Sequence, residues 1–363
     1  MSTASLADQL RQFSEKVRSE LPALLRHYQS TTDTGAACYV DQPGKPRRIR
    51  PWCDALEIGA AFRLLPGSMS AARWISELRG FQNPVTGLVP EYIPDDGRLN
   101  GPPADRPQFE DRYCTMIVHY ALECLDSSLA YPVVNAEDIG PDLLVEILET
   151  LDWTNGAWGA GHWIDCYATC LCANQKYFGQ GRQVDRLFSW LDAHVDPKSG
   201  LWGKWRKADR WLQPVNGFYR LTRGTYAQFG RPLPRPELAI DTILLHASDP
   251  EFFREGQGNA CNILDVVHPL WLCLRQTGHR RDEARHWVLA RLPLALEQWR
   301  PGRGLTFDPH AKTDQGQPGL QGTEMWLSII YLMADLVDLS GNLSYRPNGV
   351  HRLQPGAAAE ACF

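Results

Sequence analysis

Apolar residues along this chain fall into helix-periodic runs of two alternating kinds. Six runs are apolar nearly all round: Trp52 to Leu65, Glu110 to Leu125, His162 to Phe178, Asn216 to Phe229, Asn262 to Gln276 and Thr323 to Leu339. All-round apolarity marks buried helices. Between them lie runs with one charged face: Leu6 to His27, Ala71 to Phe81, Pro141 to Leu151, Val184 to Val195, Pro236 to Ala247 and Asp282 to Trp299. These predict an outer ring.

Pairs of outer and inner helices at a spacing of roughly 45 to 60 residues predict six hairpins whose first and last members close on each other. The expected fold class is all-α, an (α/α)6 toroid, with an open superhelical solenoid as the structural alternative. A closed ring implies one domain over residues 1–341. Residues 342–363, with Arg346-Pro347 and a Gly-Ala-Ala-Ala tail, read as a surface strap and a loose end.

The loops that enter the inner helices repeat a turn: Pro84-Val-Thr-Gly87-Leu, Asn155-Gly156-Ala-Trp158-Gly159, Pro197-Lys-Ser-Gly200-Leu-Trp202-Gly203 and Pro301-Gly302-Arg-Gly304-Leu. Each is expected to place Gly at positive φ. With these turns the chain resembles the (α/α)6-toroid superfamily of six-hairpin glycosidases, polysaccharide lyases and terpenoid cyclase or prenyltransferase toroids. The resemblance is architectural and covers roughly residues 50 to 340. Gly200-Leu-Trp202-Gly203-Lys-Trp205, Gly217-Phe-Tyr219 and Gly224-Thr-Tyr226 are similar to the aromatic repeats of isoprenoid cyclases. The DxDD and DDxxD motifs of those enzymes are absent, and Asp165-Cys166 lacks the spacer of the prenyltransferase zinc ligands.

Composition narrows the class. Hydrophobic residues at 44% and charged residues at 22% are those of a globular chain, and a net charge of -5 without a Lys/Arg run argues against nucleic acid. Apolar windows such as Trp326 to Leu339 are broken by Asp335 and Asp338, so no membrane span is expected. The start of the chain does not read as a signal peptide. The ten cysteines contain no CxxC pair and read as reduced thiols of a cytoplasmic protein.

Polar residues in the first turns of the inner helices are expected to share one mouth. Asp165, after a Gly-rich turn, is the leading general acid, with helix capping as its alternative. Asp265 and His268 share a helix face at i, i+3 and could be a base and its orienter; a metal, with His162 and Cys166 as further ligands, is disfavoured because no zinc spacing is present. Tyr219 completes the catalytic set. Tyr219 and Arg223 form an i, i+4 pair suited to a substrate carboxylate, unless Arg220 and Arg223 pair with Asp165, Asp241 or Asp265. The Asn216, Tyr219, Arg223, Asn262 and His268 set resembles that of toroidal uronate lyases.

Asp54, Glu57, Asp111, His162, Trp158, Trp163, Asn216, Arg220, Arg223, Asn262 and Glu324 are the expected substrate contacts, although Asp111 and Glu324 also suit helix starts. These residues point to a glycoside hydrolase or uronate-type lyase with no metal and no cofactor, acting on a glycan. A terpenoid-cyclase-like enzyme protonating an isoprenoid and a non-catalytic helical module are the alternatives. The sequence leaves the oligomeric state open.

Overall fold

The computed structural model describes residues 3–31, 37–91, 108–254 and 258–352. The described chain is mostly helical. In order it forms α1 (Thr3–Tyr28), a hairpin of β1 (Gln29–Thr31) and β2 (Ala37–Tyr39), α2 (Ile49–Ala61), α3 (Ala71–Gly80), α4 (Gln108–Glu123), α5 (Val134–Glu137), α6 (Pro141–Thr150), α7 (Ala157–Phe178), α8 (Val184–His194), α9 (Leu212–Thr222), a π-helical turn (Arg223–Ala227), α10 (Pro236–Ala247), α11 (Ala260–Leu274), α12 (Arg281–Glu297) and α13 (Leu320–Leu336).

Each of the twelve apolar-periodic runs is a helix, and the inner ones are buried as their composition requires. Every residue of α2 except Arg50, and every residue of α11 except Asn262, is buried. In α1 the buried apolar positions are Leu6, Leu10, Phe13, Val17, Leu21, Leu24, Leu25 and Tyr28, the one-sided stripe of an amphipathic helix. No helix among the described residues is long and apolar enough to cross a membrane.

The inner helices begin earlier than the apolar periods do. α7 starts at Ala157 and its N-cap is Gly156; α11 starts at Ala260, with the Asn259 side chain accepting from Asn262 N at 2.9 Å. Asp165, Asp265 and Glu324 therefore lie within helices and are not caps, and Thr323 is no cap either, since Gly319 holds that position in α13.

The turn motif is also corrected in one of its four copies. Gly87, Gly200, Gly203, Gly302 and Gly304 have positive φ, but Gly156 has φ -127° and ends the turn as the N-cap of α7. What the four turns share is a backbone bond from the Gly N–H to the carbonyl four residues back: Gly87 to Asn83, Gly156 to Asp152, Gly200 to Asp196 and Gly304 to Arg300. In three of them the Asn or Asp side chain at that position also accepts turn amides, as Asp196 Oδ1 does from Lys198 N and Ser199 N at 2.8 Å.

The chain divides into two compact units. The first holds Met1–Tyr131 with Val288–Leu353, the second Pro132–Trp287. In the first, α2 packs between α4 and α13, and α1 is fastened by Phe13 against Trp299 and by Trp299 Nε1 donating to Glu20 Oε2 at 2.8 Å. Residues 345–352 then run along α2 and α13, with Arg346 N donating to Ala61 O at 3.0 Å and Tyr345 Oη to Leu327 O at 2.8 Å. Residues 353–363 lie outside the described residues.

In the second unit, α9 packs between α7 and α11. The α7–α9 crossing is so close that a Cβ on Gly161 would lie 2.2 Å from Gly217 O, and one on Gly217 would lie 2.3 Å from Ala157 O. Only glycine fits at either place.

Candidate functional site

Among the described residues two buried polar clusters stand out, one in each unit. In the first unit, α2 carries Arg50, Asp54 and Glu57 on successive turns of an otherwise apolar helix. Arg50 Nε donates to Asp54 Oδ1 at 2.6 Å, its NH1 donates to Tyr113 Oη, and its NH2 lies 3.7 Å from Glu324 Oε2. Residues 349–352 close over the other end. Val350 N donates to Glu57 Oε2 at 2.8 Å, His351 Nδ1 is 2.8 Å from Glu324 Oε1, and Arg352 pairs with Glu123. Gly349 permits this approach, because a Cβ there would fall 1.9 Å from Glu57 Oε2.

These neighbours drive the carboxyls apart in acidity. Burial pushes Asp54 up to about 7; Arg50 opposes the shift, and the charges of Glu324 and Asp41 add to it. Burial likewise raises Glu57 well above the usual carboxylate range, helped by the Glu324 charge. Burial also acts upward on Glu324, but His351, Arg50 and Ser328 outweigh it and hold that carboxyl low. Two carboxyls shifted up, Asp54 and Glu57, thus stand beside a Glu324 carboxyl shifted down.

Asp54 and Arg50 line a cleft of about 280 Å³ whose other walls include Asp41, Phe307, Gln317 and Gln321. Asp54 Oδ2 is buried and has no hydrogen-bond partner. Asp41 Oδ1 accepts from Gln321 N at 2.8 Å, which fixes a second carboxylate in the same cleft. Gln42 Nε2 donates to Asp314 O at 2.8 Å and Gln317 O at 3.2 Å, and Lys45 pairs with Asp314, so the loop that leaves β2 is tied to the loop before α13. Asp111, on α4, is buried, its carbonyl accepting from Thr115 Oγ1 at 2.6 Å.

No family model, curated protein or solved structure matches this chain. The assignment of chemistry therefore rests on the two clusters themselves.

In the second unit the Arg223 guanidinium donates to both oxygens of Asp165, at 3.3 Å from Nε to Oδ1 and more closely from NH2 to Oδ2. Arg223 NH1 also donates to Tyr219 Oη at 3.0 Å, and Arg220 NH1 stands 3.7 Å from Asp165 Oδ2. Arg223 opens the π-helical turn, a bulge of the kind often found where a helix must aim a particular side chain. Asp241 takes no part, being paired with His279 at 2.8 Å and Arg280 at 3.0 Å. Both oxygens of Asp165 are thereby engaged by guanidinium groups.

Asp265 has the opposite surroundings. It is 1% exposed, neither oxygen has a hydrogen-bond partner, and burial raises it well above the carboxylate range against the pull of Arg220 and Arg223. Tyr219 and His268 meet edge to face at 5.2 Å, and His268 lies 5.8 Å from Trp271. Burial raises the Tyr219 phenol far above its ordinary range.

The remaining candidates of this unit lie on α7 and around it. His162 is half-buried, within 3.9 Å of Cys166 Sγ, and is held well below the usual histidine range by burial and by Arg220 and Arg223. Trp163 stacks on Tyr167 at 4.9 Å. Trp158 N donates to Gln213 Oε1 at 3.2 Å, and Asn216 Nδ2 to Asn262 Oδ1 at 3.4 Å. Among the described residues no group of three His, Cys, Asp or Glu side chains is placed to hold a metal.

The structure thus joins Asp54, Glu57 and Glu324 in one cluster, and Asp165, Tyr219, Arg220, Arg223, Asp265 and His268 in the other. Sequence reasoning overlooked Arg50, Asp41 and His351. Arg50 carried a usable signal, since Arg50, Asp54 and Glu57 at i, i+4, i+7 are the charges that interrupt an apolar helix.

Proposed function

We propose that the protein is a carbohydrate-active enzyme, a glycoside hydrolase working by general acid/base chemistry at the Asp54 cleft. The observation that carries this reading is Asp54 itself, a buried carboxyl with an elevated pKa and an oxygen without a hydrogen-bond partner, in a cleft with a second carboxylate. Perturbed carboxyls in clefts are the usual mark of catalytic acids.

In this reading Asp54 protonates the leaving glycosidic oxygen, and Asp41 receives the proton of the attacking water. Arg50 orients Asp54 through its 2.6 Å bond. The amides of Gln317 and Gln321 suit sugar hydroxyls, and Phe307 supplies an apolar wall. The six hairpins close into an (α/α)6 ring, a reading supported by the packing of the last inner helix, α13, against the first, α2.

The second unit favours a different reading through one feature. Asp265, its carboxyl raised by burial and carried on the same helix as His268 and Trp271, suits an acid that protonates an isoprenoid alkene.

Incubating the purified protein with panels of neutral and uronate oligosaccharides tests the lead. New reducing ends mark hydrolysis, and ultraviolet absorbance from an unsaturated uronate marks elimination. Asp54→Asn is expected to abolish turnover while keeping the helical circular dichroism. Full activity in that variant would remove Asp54 from the mechanism, and turnover of isoprenoids alone, lost in Asp265→Asn, would install the second reading.

A further inference from the structure

The loop between α8 and α9 displays a tryptophan between cations, in Gly203-Lys204-Trp205-Arg206-Lys207. Trp205 is 51% exposed, whereas Trp52, Trp74, Trp202 and Trp326 are buried. About half of this ring therefore faces water, where a flat partner can stack on it.

The loop around this ring is firmly held. Arg206 and Arg210 exchange backbone bonds at 3.2 and 2.6 Å. The Arg206 guanidinium donates to Asn155 O at 3.1 Å and to Asn155 Oδ1 at 3.0 Å, and it lies 3.4 Å from Asp209. Arg210 pairs with Asp249 and, at 3.1 Å, with Glu251. Asp209, Asp249 and Glu251 are thereby paired with the two arginines. Lys204 and Lys207 remain exposed, with no carboxylate partner among the described residues.

We propose that this loop is a binding platform for an acidic polysaccharide, with Trp205 stacking on a sugar face and Lys204 and Lys207 meeting uronate carboxylates. A flat ring on a fixed loop loses little conformational freedom on binding, and flanking cations confer a preference for acidic sugars. Other anionic partners fit less well. A lipid surface requires an apolar face with several inserted residues, and this loop offers one. Nucleic acid requires a broad basic surface, and this loop offers two exposed lysines beside a single ring. The choice of a glycan rests on the carbohydrate reading above, whereas the platform rests on the exposure and charge of the loop.

Affinity electrophoresis of the full chain through gels containing polygalacturonate, and through control gels containing dextran, tests the proposal. Wild type should be retarded by polygalacturonate alone. Trp205→Ala and the double variant Lys204→Ala/Lys207→Ala should each lose affinity at least about tenfold, as expected for a lost anchor, with unchanged melting temperatures. Asp54→Asn should be retarded like wild type, so that a failure of the cleft mechanism is read separately from a failure of the platform. Equal retardation of Trp205→Ala and wild type overturns the proposal. So does an absence of retardation, or tighter binding to polyglutamate, single-stranded DNA or anionic phospholipid vesicles than to polygalacturonate.

Discussion

Arg223 holds Asp165 across the α7–α9 crossing, and Gly224 brings the backbone close enough that a Cβ there would lie 2.6 Å from Asp165 Oδ1. Both charged side chains are at least nine-tenths buried. Arg223→Met should therefore destabilise the protein by about 3–5 kcal/mol, because it strands a buried charge with Arg220, 3.7 Å away, as the cation left beside it. Urea denaturation measures the loss. The double variant Asp165→Asn/Arg223→Met should recover part of it, and a single variant as stable as wild type would show that the pair contributes nothing to the fold.

Two glycines of α7 give opposite expectations. Gly159 has nothing within 4 Å of where a Cβ would sit, so Gly159→Ala should stabilise by about 0.5–1 kcal/mol through the unfolded chain's lost freedom. Gly161→Ala drives its methyl into the Gly217 carbonyl and should cost about 1–3 kcal/mol. Thermal melts of the two variants check the contrast, which fails if both move the same way.

The helices were legible because a buried helix is apolar on every side and an outer one on a single side, and both patterns survive in a lone sequence. Their starts were not. Pro51, Pro214 and the run Gly156-Ala-Trp-Gly-Ala-Gly break the apolar period, yet they occupy first turns, where an amide has no helical partner to lose. Asp165 consequently looked like a residue at a helix start when it lies in the third turn. The Arg223–Asp165 pair was among the partnerships the sequence allowed, but choosing it over Asp241 required the close crossing that Gly161, Gly217 and Gly224 permit. Asp41 and His351 come from loops distant in sequence from Asp54 and Glu324, and no periodicity links them.

His351 and Gly349 seat the segment after α13 on two buried acids. Because the native pKa of Glu324 is depressed, its contribution to stability is present above the unfolded value of 4.5 and is lost as pH falls through the native one. His351→Ala removes a 2.8 Å bond to Glu324 and should cost about 1–3 kcal/mol near neutrality, with the deficit shrinking at acid pH. Gly349→Ala, which clashes with Glu57, should loosen the same segment at either pH. Denaturation midpoints across pH, with limited proteolysis to locate the loosening, distinguish the two; a His351→Ala deficit independent of pH would rule out the coupling to Glu324.

Asp54 has the opposite sign. The unfolded chain releases this proton near 3.8, while the native state retains it until about 7. Between those values the native protein binds more protons than the unfolded one, so this stabilising contribution is complete below the lower pKa and is lost as pH rises through the upper. Wild type should weaken by on the order of 2–4 kcal/mol from about pH 4 to about pH 8 through this group, and Asp54→Asn should flatten the slope. If Asp54 is the proton donor, kcat/KM should fall through the same upper limb as the acid is lost. Carbon NMR of the Asp54 carboxyl, assigned by comparison with Asp54→Asn, reads the titration directly. A midpoint near the ordinary 3.8 would remove the proton from Asp54 at working pH and leave the cleft without its acid.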